Sequence, residues 1–512
     1  MILDGIWEFA WCKDNASVPC FDTFAAVPGC FDTPGMFYPE QGTAYYRRKV
    51  TAGGSLRLKI ASFGLHAQVF WDGEKIAESF LAWSPLTAEF STSDGVHELI
   101  IKVDNFIAGH PLFREDYDFY NFGGIYDHVT LENISADSIR KLAVFTLDHE
   151  TGEIELQIES AAEKLDISFD GKFFRSVDNT PSLRLKVPDF KLWSIDTPDL
   201  HTVTVNEKTV TFGIRTINWD SDVLKINGKV VKLIGVNRHE SHPEFGAATP
   251  EALIASDLCQ IKKAGFNFVR GSHYPQREFF FEMCDRLGLL VWEEPLSWGN
   301  CESDLQDPVF MDTLEAQLRD CIANSINHPS LIIHGFLNEC ASDTDAGYAA
   351  VKRLTDVCHQ LDPGRPATFA TNRPLTDKCF ELVDIIAMNI YPAWYSGEYP
   401  CDIPGELEKY TADLPEKPLV ISEIGAAAIY GDHSGTPWSE EYQSEYVNTV
   451  LESVAADPRF SGVILWLFCN ANTYIDPVRA RFRPRGFNNK GLLDEYRRPK
   501  LAWKNLKIGR EF

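Results

Sequence analysis

A chain of 512 residues is too long for one hydrophobic core, so about two to four domains are expected. Its composition, 44% apolar and 24% charged, is that of a globular protein and excludes extended disorder. A net charge of −26 and a pI near 4.9 exclude the basic footprint that nucleic acid or an anionic membrane surface requires, so neither is expected as a partner.

The first residues, Met1-Ile2-Leu3-Asp4-Gly5, carry neither a basic nor an apolar leader and run straight into Trp7-Glu8-Phe9. A cytoplasmic location is expected from this. No apolar run reaches the roughly 18 residues of a membrane span. The 12 cysteines show no CxxC pair and no zinc spacing, which reads as reduced thiols with no metal and no cofactor.

Residues 1–135 read as β-structure. Leu56-Arg57-Leu58-Lys59-Ile60 alternates with period two, as a half-buried strand does. Val69-Phe70-Trp71 meets the turn dipeptide Asp72-Gly73, and a second turn is expected at Asp94-Gly95 before His97–Val103. Short strands joined by turns predict a sandwich. Residues 136–213 repeat the pattern in a smaller unit, with alternation in Ile154–Ile158 and Leu183–Val187, and fit an immunoglobulin-like sandwich.

From residue 214 to 512 short apolar strands alternate with amphipathic helices. The candidate strands are Lys232–Val236, Phe266–Arg270, Leu290–Trp292, Leu331–Leu337, Ala367–Ala370, Asp384–Met388, Leu419–Ser422 and Val463–Phe468. A helix follows the first, with Thr249 as its expected cap, Pro250 in its first turn, one face of Leu253, Ile254, Leu258 and Ile261, and Gly265 at its end. Eight such units predict a (β/α)8 TIM barrel, a doubly wound open sheet being the alternative.

A barrel of this kind carries its active site at the C-terminal strand ends. There the chain places Asn237-Arg238-His239-Glu240, Arg270 to Tyr274, Glu293-Glu294, Asn338-Glu339, Asn389 with Tyr391, Glu423 and Trp466. Amides, carboxylates, histidines and aromatics on one rim suit a sugar, which offers hydroxyl edges and apolar faces. Strands 4 and 7 face each other across a barrel mouth, so Glu339 and Glu423 can flank a glycosidic bond as acid/base and nucleophile. Asn338 can bond the sugar 2-hydroxyl. His239-Glu240-Ser241-His242 lacks the spacing of a zinc site. A non-catalytic carbohydrate-binding protein is the reading from a different class, and it would be free to lose one of the two glutamates.

These segments, with Phe268–Pro275, Asn327-His328-Pro329-Ser330 and Ile421-Ser422-Glu423, resemble glycoside hydrolase family 2 along essentially the whole chain. The resemblance implies a jelly-roll sandwich, an immunoglobulin-like sandwich and a catalytic TIM barrel. It also implies a retaining mechanism with Glu339 as general acid/base and Glu423 as nucleophile. Asn488-Asn489-Lys490-Gly491 is similar to the Asn-x-Lys-Gly signature of the β-glucuronidase branch, where Asn and Lys hold the sugar carboxylate. By the same resemblance Asp118 accepts from sugar hydroxyls, Tyr391 and Tyr395 line the site, Tyr391 holds the nucleophile ionised, and Trp466 floors the sugar. His334, Ile424-Gly425-Ala426-Ala427 and Pro484 depart from the usual pattern. An exo-acting β-glucuronidase acting on a small-molecule or oligosaccharide glycoside is expected, with β-galacturonidase or neutral-sugar β-galactosidase as alternatives. The short Trp298–Asn327 segment predicts an open mouth. Relatives imply a homo-oligomer, dimer or tetramer.

Overall fold

A computed structural model describes residues 1–512 apart from 15–16, 34–38, 221, 396, 398, 413, 475–480 and 509–512. Two long strands, Thr43–Ile60 and Leu86–Asp104, pair antiparallel along their length and organise the first unit. The first part of Thr43–Ile60 pairs with Gly5–Cys12, and its last part pairs with Val129–Asn133. Ala44 and Tyr46 nevertheless share one core with Leu56, Leu58, Ile60, Trp7 and Phe9, so the sheet folds over on itself as a sandwich.

Asp72 and Gly73 both adopt positive φ, 51° and 83°, and close the hairpin between His66–Trp71 and Glu74–Ser79 as expected. Asp94-Gly95 is not a turn. It lies inside Leu86–Asp104, opposite an irregularity at Ala52/Gly54. The partner strand continues without a break, and Gly53 lets Asp94 approach where a Cβ would sit 1.9 Å from its Oδ1. Continuous pairing therefore overrides the local turn signal.

In the second unit a three-stranded sheet containing Glu153–Glu159 and Ser182–Lys186 packs on a four-stranded sheet containing Lys164–Phe169 and His201–Val205. Leu156, Ile158, Ile167, Val203 and Val205 fill the space between them.

The third unit is a closed parallel barrel of eight strands. In order these are Leu233–Arg238, Phe268–Gly271, Leu290–Glu293, Leu331–Asn338, Ala367–Thr371, Ile386–Asn389, Leu419–Ile424 and Phe460–Leu465. The eighth strand lies earlier than the periodicity predicts, which leaves Trp466 just beyond its end. The helix after strand 1 is Glu251–Lys263, with Pro250 at its N-cap position. Thr249 does not cap it, because its hydroxyl donates to Glu240 instead. Leu233, Phe268, Leu290, Trp292, Ile333, Val420 and Ile464 pack together within the barrel, and Trp193, from the inter-unit segment, joins this cluster.

His334, the unusual residue of strand 4, is part of a buried ion network. Its Nε2 pairs with Asp362 at 2.9 Å, and Asp362 also binds Arg365. Against burial, which raises it, Arg365 and His334 hold the Asp362 carboxyl far below the carboxylate range. Asp362→Asn leaves Arg365 without its counter-charge, and the expected loss is about 3 kcal/mol in urea unfolding. Because the folded-state pKa is the depressed one, this contribution is present above about pH 4 and fades as pH falls.

Candidate active site

The loop Tyr117–Gly124 of the first unit is buried against the barrel mouth. Tyr117, Phe119, Tyr120 and Phe122 share a core with Tyr274, Leu296 and Phe310 of the barrel. This anchoring carries Asp118 to a cavity of about 460 Å³ at the C-terminal strand ends. Glu339, Tyr391, Tyr395, Glu423, Trp466, Asn488 and Lys490 line the same cavity, so most of the predicted site residues converge.

Glu339 follows strand 4 with φ of 54°, a left-handed conformation that a non-glycine residue holds only where its surroundings impose it. Asn389 Nδ2 donates to its Oε1 at 2.8 Å, and Asn372 Nδ2 donates to its Oε2 at 3.2 Å. Ser422 Oγ donates to Asn389 Oδ1 at 2.7 Å, which fixes the amide orientation. Glu423, in strand 7, accepts from Arg270 Nη1 at 3.0 Å and from the Tyr391 hydroxyl at 2.6 Å.

Arg270 is the hub that the strand pattern displayed without revealing its role. Its guanidinium also binds both oxygens of Glu294 and donates to Asn338 Oδ1 at 2.8 Å. The available signal was a fully buried charge within an apolar strand, which must be paired on all sides. Burial pushes both carboxyls above their usual range, and the charge of Glu339 adds to the effect on Glu423. Glu423 takes the charge-assisted bond from Arg270, whereas Glu339 has only amide donors among the described residues, so the anion is better stabilised on Glu423.

Two predicted residues sit behind the wall. Asn338 is fully buried, and its Nδ2 has no partner among the described residues. His239 lies edge-on behind Trp466 at 5.3 Å and bonds the Tyr274 hydroxyl. Burial, with the charges of His273 and Arg270 adding, keeps its imidazole neutral.

At one end of the cavity stands Lys490. Its ammonium donates to the Tyr395 hydroxyl at 2.6 Å and faces the rings of Tyr391, Trp394 and Tyr395 at 4.8–5.7 Å. Among the described residues no carboxylate pairs with it, and burial lowers its pKa. The backbone beneath is fixed. Lys500 Nζ donates to the Asn489 carbonyl at 2.9 Å, and a Cβ on Gly491 would lie 2.2 Å from Asn470 N. Asp118 is held by Arg483, whose Nε lies 3.0 Å from each of its oxygens, with Asn488 Nδ2 at 3.5 Å. Arg485 turns away to Glu495 at 2.9 Å. Residues 298–327 are largely the helices Glu302–Gln306 and Pro308–Ser325, and Trp298 and the helical residues Glu406 and Tyr410 line the cavity.

Residues 217–509 match the family model described as glycosyl hydrolases family 2, TIM barrel domain. A GH2 β-galacturonidase from Eisenbergiella tayi, solved with glycerol, superposes with a TM-score of 0.91 at 30% identity, covering 99% of this chain and 95% of that one. The β-glucuronidase of Streptococcus agalactiae is 27% identical, covering 99% of this chain and 95% of the relative. A Formosa agariphila relative is 26% identical over 87% of this chain, which spans only 61% of that protein's length.

Proposed function

The chain belongs to glycosyl hydrolase family 2, and from that premise we propose that it is a retaining, exo-acting β-glucuronidase. The observation that carries the uronide reading is Lys490, a buried ammonium at the end of the cavity with a tyrosine hydroxyl for a partner and no carboxylate paired to it among the described residues. A substrate carboxylate supplies the missing charge, and Asn488 adds a neutral donor beside it.

With the uronate so placed, Glu339 protonates the leaving oxygen and Glu423 attacks the anomeric carbon. Glu339 then takes a proton from water, which displaces Glu423 and releases β-uronic acid. Trp466, on the cavity wall, offers an apolar face to the ring. The test is proton NMR of the first product formed. The β-anomer must appear before mutarotation, and initial release of the α-anomer contradicts a retaining mechanism.

Tyr391 stabilises the ionised form of Glu423. Tyr391→Phe is therefore expected to raise the pKa of the nucleophile and move the acidic limb of kcat/KM to higher pH, with kcat falling by about 10- to 100-fold. A pH–rate profile reads both effects.

A second reading, β-galacturonidase, is supported by the likeness to the E. tayi enzyme at 30% identity. The two uronides differ only at C4, and the carboxylate clamp serves either. The cytoplasmic location and a homo-oligomeric state belong to the proposal as well.

A further inference from the structure

A second cavity, of about 430 Å³, lies where the three units meet, and its walls share no residue with those of the carboxylate pair. The first sandwich contributes Lys59, the second contributes Arg140, Lys141 and Lys208, and the barrel contributes Arg277 and Glu293. Such a concentration of cations stands out in a chain of net charge −26.

Two acids on these walls are already matched. Asp127 pairs with Arg277 at 2.9 Å, and Glu278 lies 3.6 Å from Lys59. Arg140 reaches Glu89, outside the lining, at 3.4 Å. Lys141 and Lys208 remain, and neither forms an ion pair among the described residues. Lys208 Nζ is 3.4 Å from the carbonyl oxygen of Arg140. Burial, with the charge of Arg57 adding, pushes its ammonium below the usual lysine range.

Two buried polar atoms on the same walls lack a partner among the described residues, Nε of Arg277 and Oε2 of Glu293. The two residues are only 6% and 4% exposed, so bulk water does not serve them. An unpaired buried donor or acceptor is costly, and a cavity beside it is where its partner goes. Two unpaired lysines, with Arg277 and Glu293 lining the same cavity, together describe a receptor for an anion that carries a hydroxyl.

We propose that this three-unit junction binds a small hydroxylated oxyanion, a carboxylate or a phosphate, through Lys141, Lys208 and Arg277, with Glu293 meeting its hydroxyl. A ligand held by residues of the second sandwich and of the barrel bridges those two units, so binding stabilises the assembled chain.

The test is calorimetric titration of the intact chain with glucuronate and, separately, inorganic phosphate, at constant ionic strength. The titrations are run in a Lys490→Ala background to weaken the active site, with and without Lys141→Ala/Lys208→Ala. Either ligand is expected to bind at millimolar concentration or better and to lose on the order of tenfold in affinity in the double variant. The tighter ligand distinguishes a sugar acid from a phosphate. In the otherwise native chain the double variant keeps its turnover of an aryl glycoside, which shows that it folds. Absence of binding by both ligands, or affinity unchanged in the double variant, overturns the proposal.

Discussion

Glu423→Gln is expected to reduce turnover of an aryl β-glucuronide by about 10⁴-fold or more, because the amide cannot attack the anomeric carbon. The amide keeps the shape and the contact with Tyr391, so the loss reports lost nucleophilicity rather than lost folding. Glu339→Gln is expected to behave differently. A p-nitrophenolate needs no proton to depart, so formation of the glycosyl-enzyme is spared while its hydrolysis stalls. Azide, which needs no general base, restores turnover in Glu339→Gln and yields the β-glycosyl azide. Steady-state and burst kinetics on good and poor leaving groups read the two roles apart. If the two variants share one profile, the assignment of roles fails.

Lys490→Ala carries the second large effect. The ammonium is buried, and its removal leaves a substrate carboxylate in a desolvated pocket. Truncating one member of a buried charge pair costs about 2–5 kcal/mol, so kcat/KM for a β-glucuronide should fall by about 10²- to 10³-fold. A neutral β-galactoside lacks the carboxylate and should change little. The selectivity ratio is thus the informative quantity. A uniform loss on both substrates would mean that Lys490 supports the fold of the Asn488–Gly491 turn and not the substrate.

Much of this arrangement was legible in the sequence, for identifiable reasons. Short apolar runs between helical segments located all eight barrel strands, because a parallel strand buried on both faces leaves an unbroken apolar run. Strand-end polarity then named Glu339, Asn389, Tyr391, Glu423 and Trp466, since a closed barrel sends every C-terminal strand end to one rim, whereas Asp118, Tyr395, Asn488 and Lys490 rested on the family resemblance. What stayed hidden depended on contacts across long sequence separations. Asp94-Gly95 carries a turn dipeptide, yet pairing along the whole of Thr43–Ile60 holds it in a strand. Thr249 looked like a cap, but Glu240 competes for its hydroxyl. Arg483 and Asp118 lie 365 residues apart, and only the fold shows that the arginine occupies the acid expected to stand ready for sugar hydroxyls. His334, which departs from the family pattern, pairs with Asp362 beside Arg365 and does not line the cavity.

The central claim is that a cation built into a retaining glycosidase cavity selects a uronic acid. The most direct measurement is kcat/KM of the purified protein on p-nitrophenyl β-glucuronide, β-galacturonide and β-galactoside, side by side. A uronide is expected to exceed the neutral galactoside by about 10²-fold or more, in line with the charge pair it alone can form. A galactoside that matches or exceeds both uronides would contradict it.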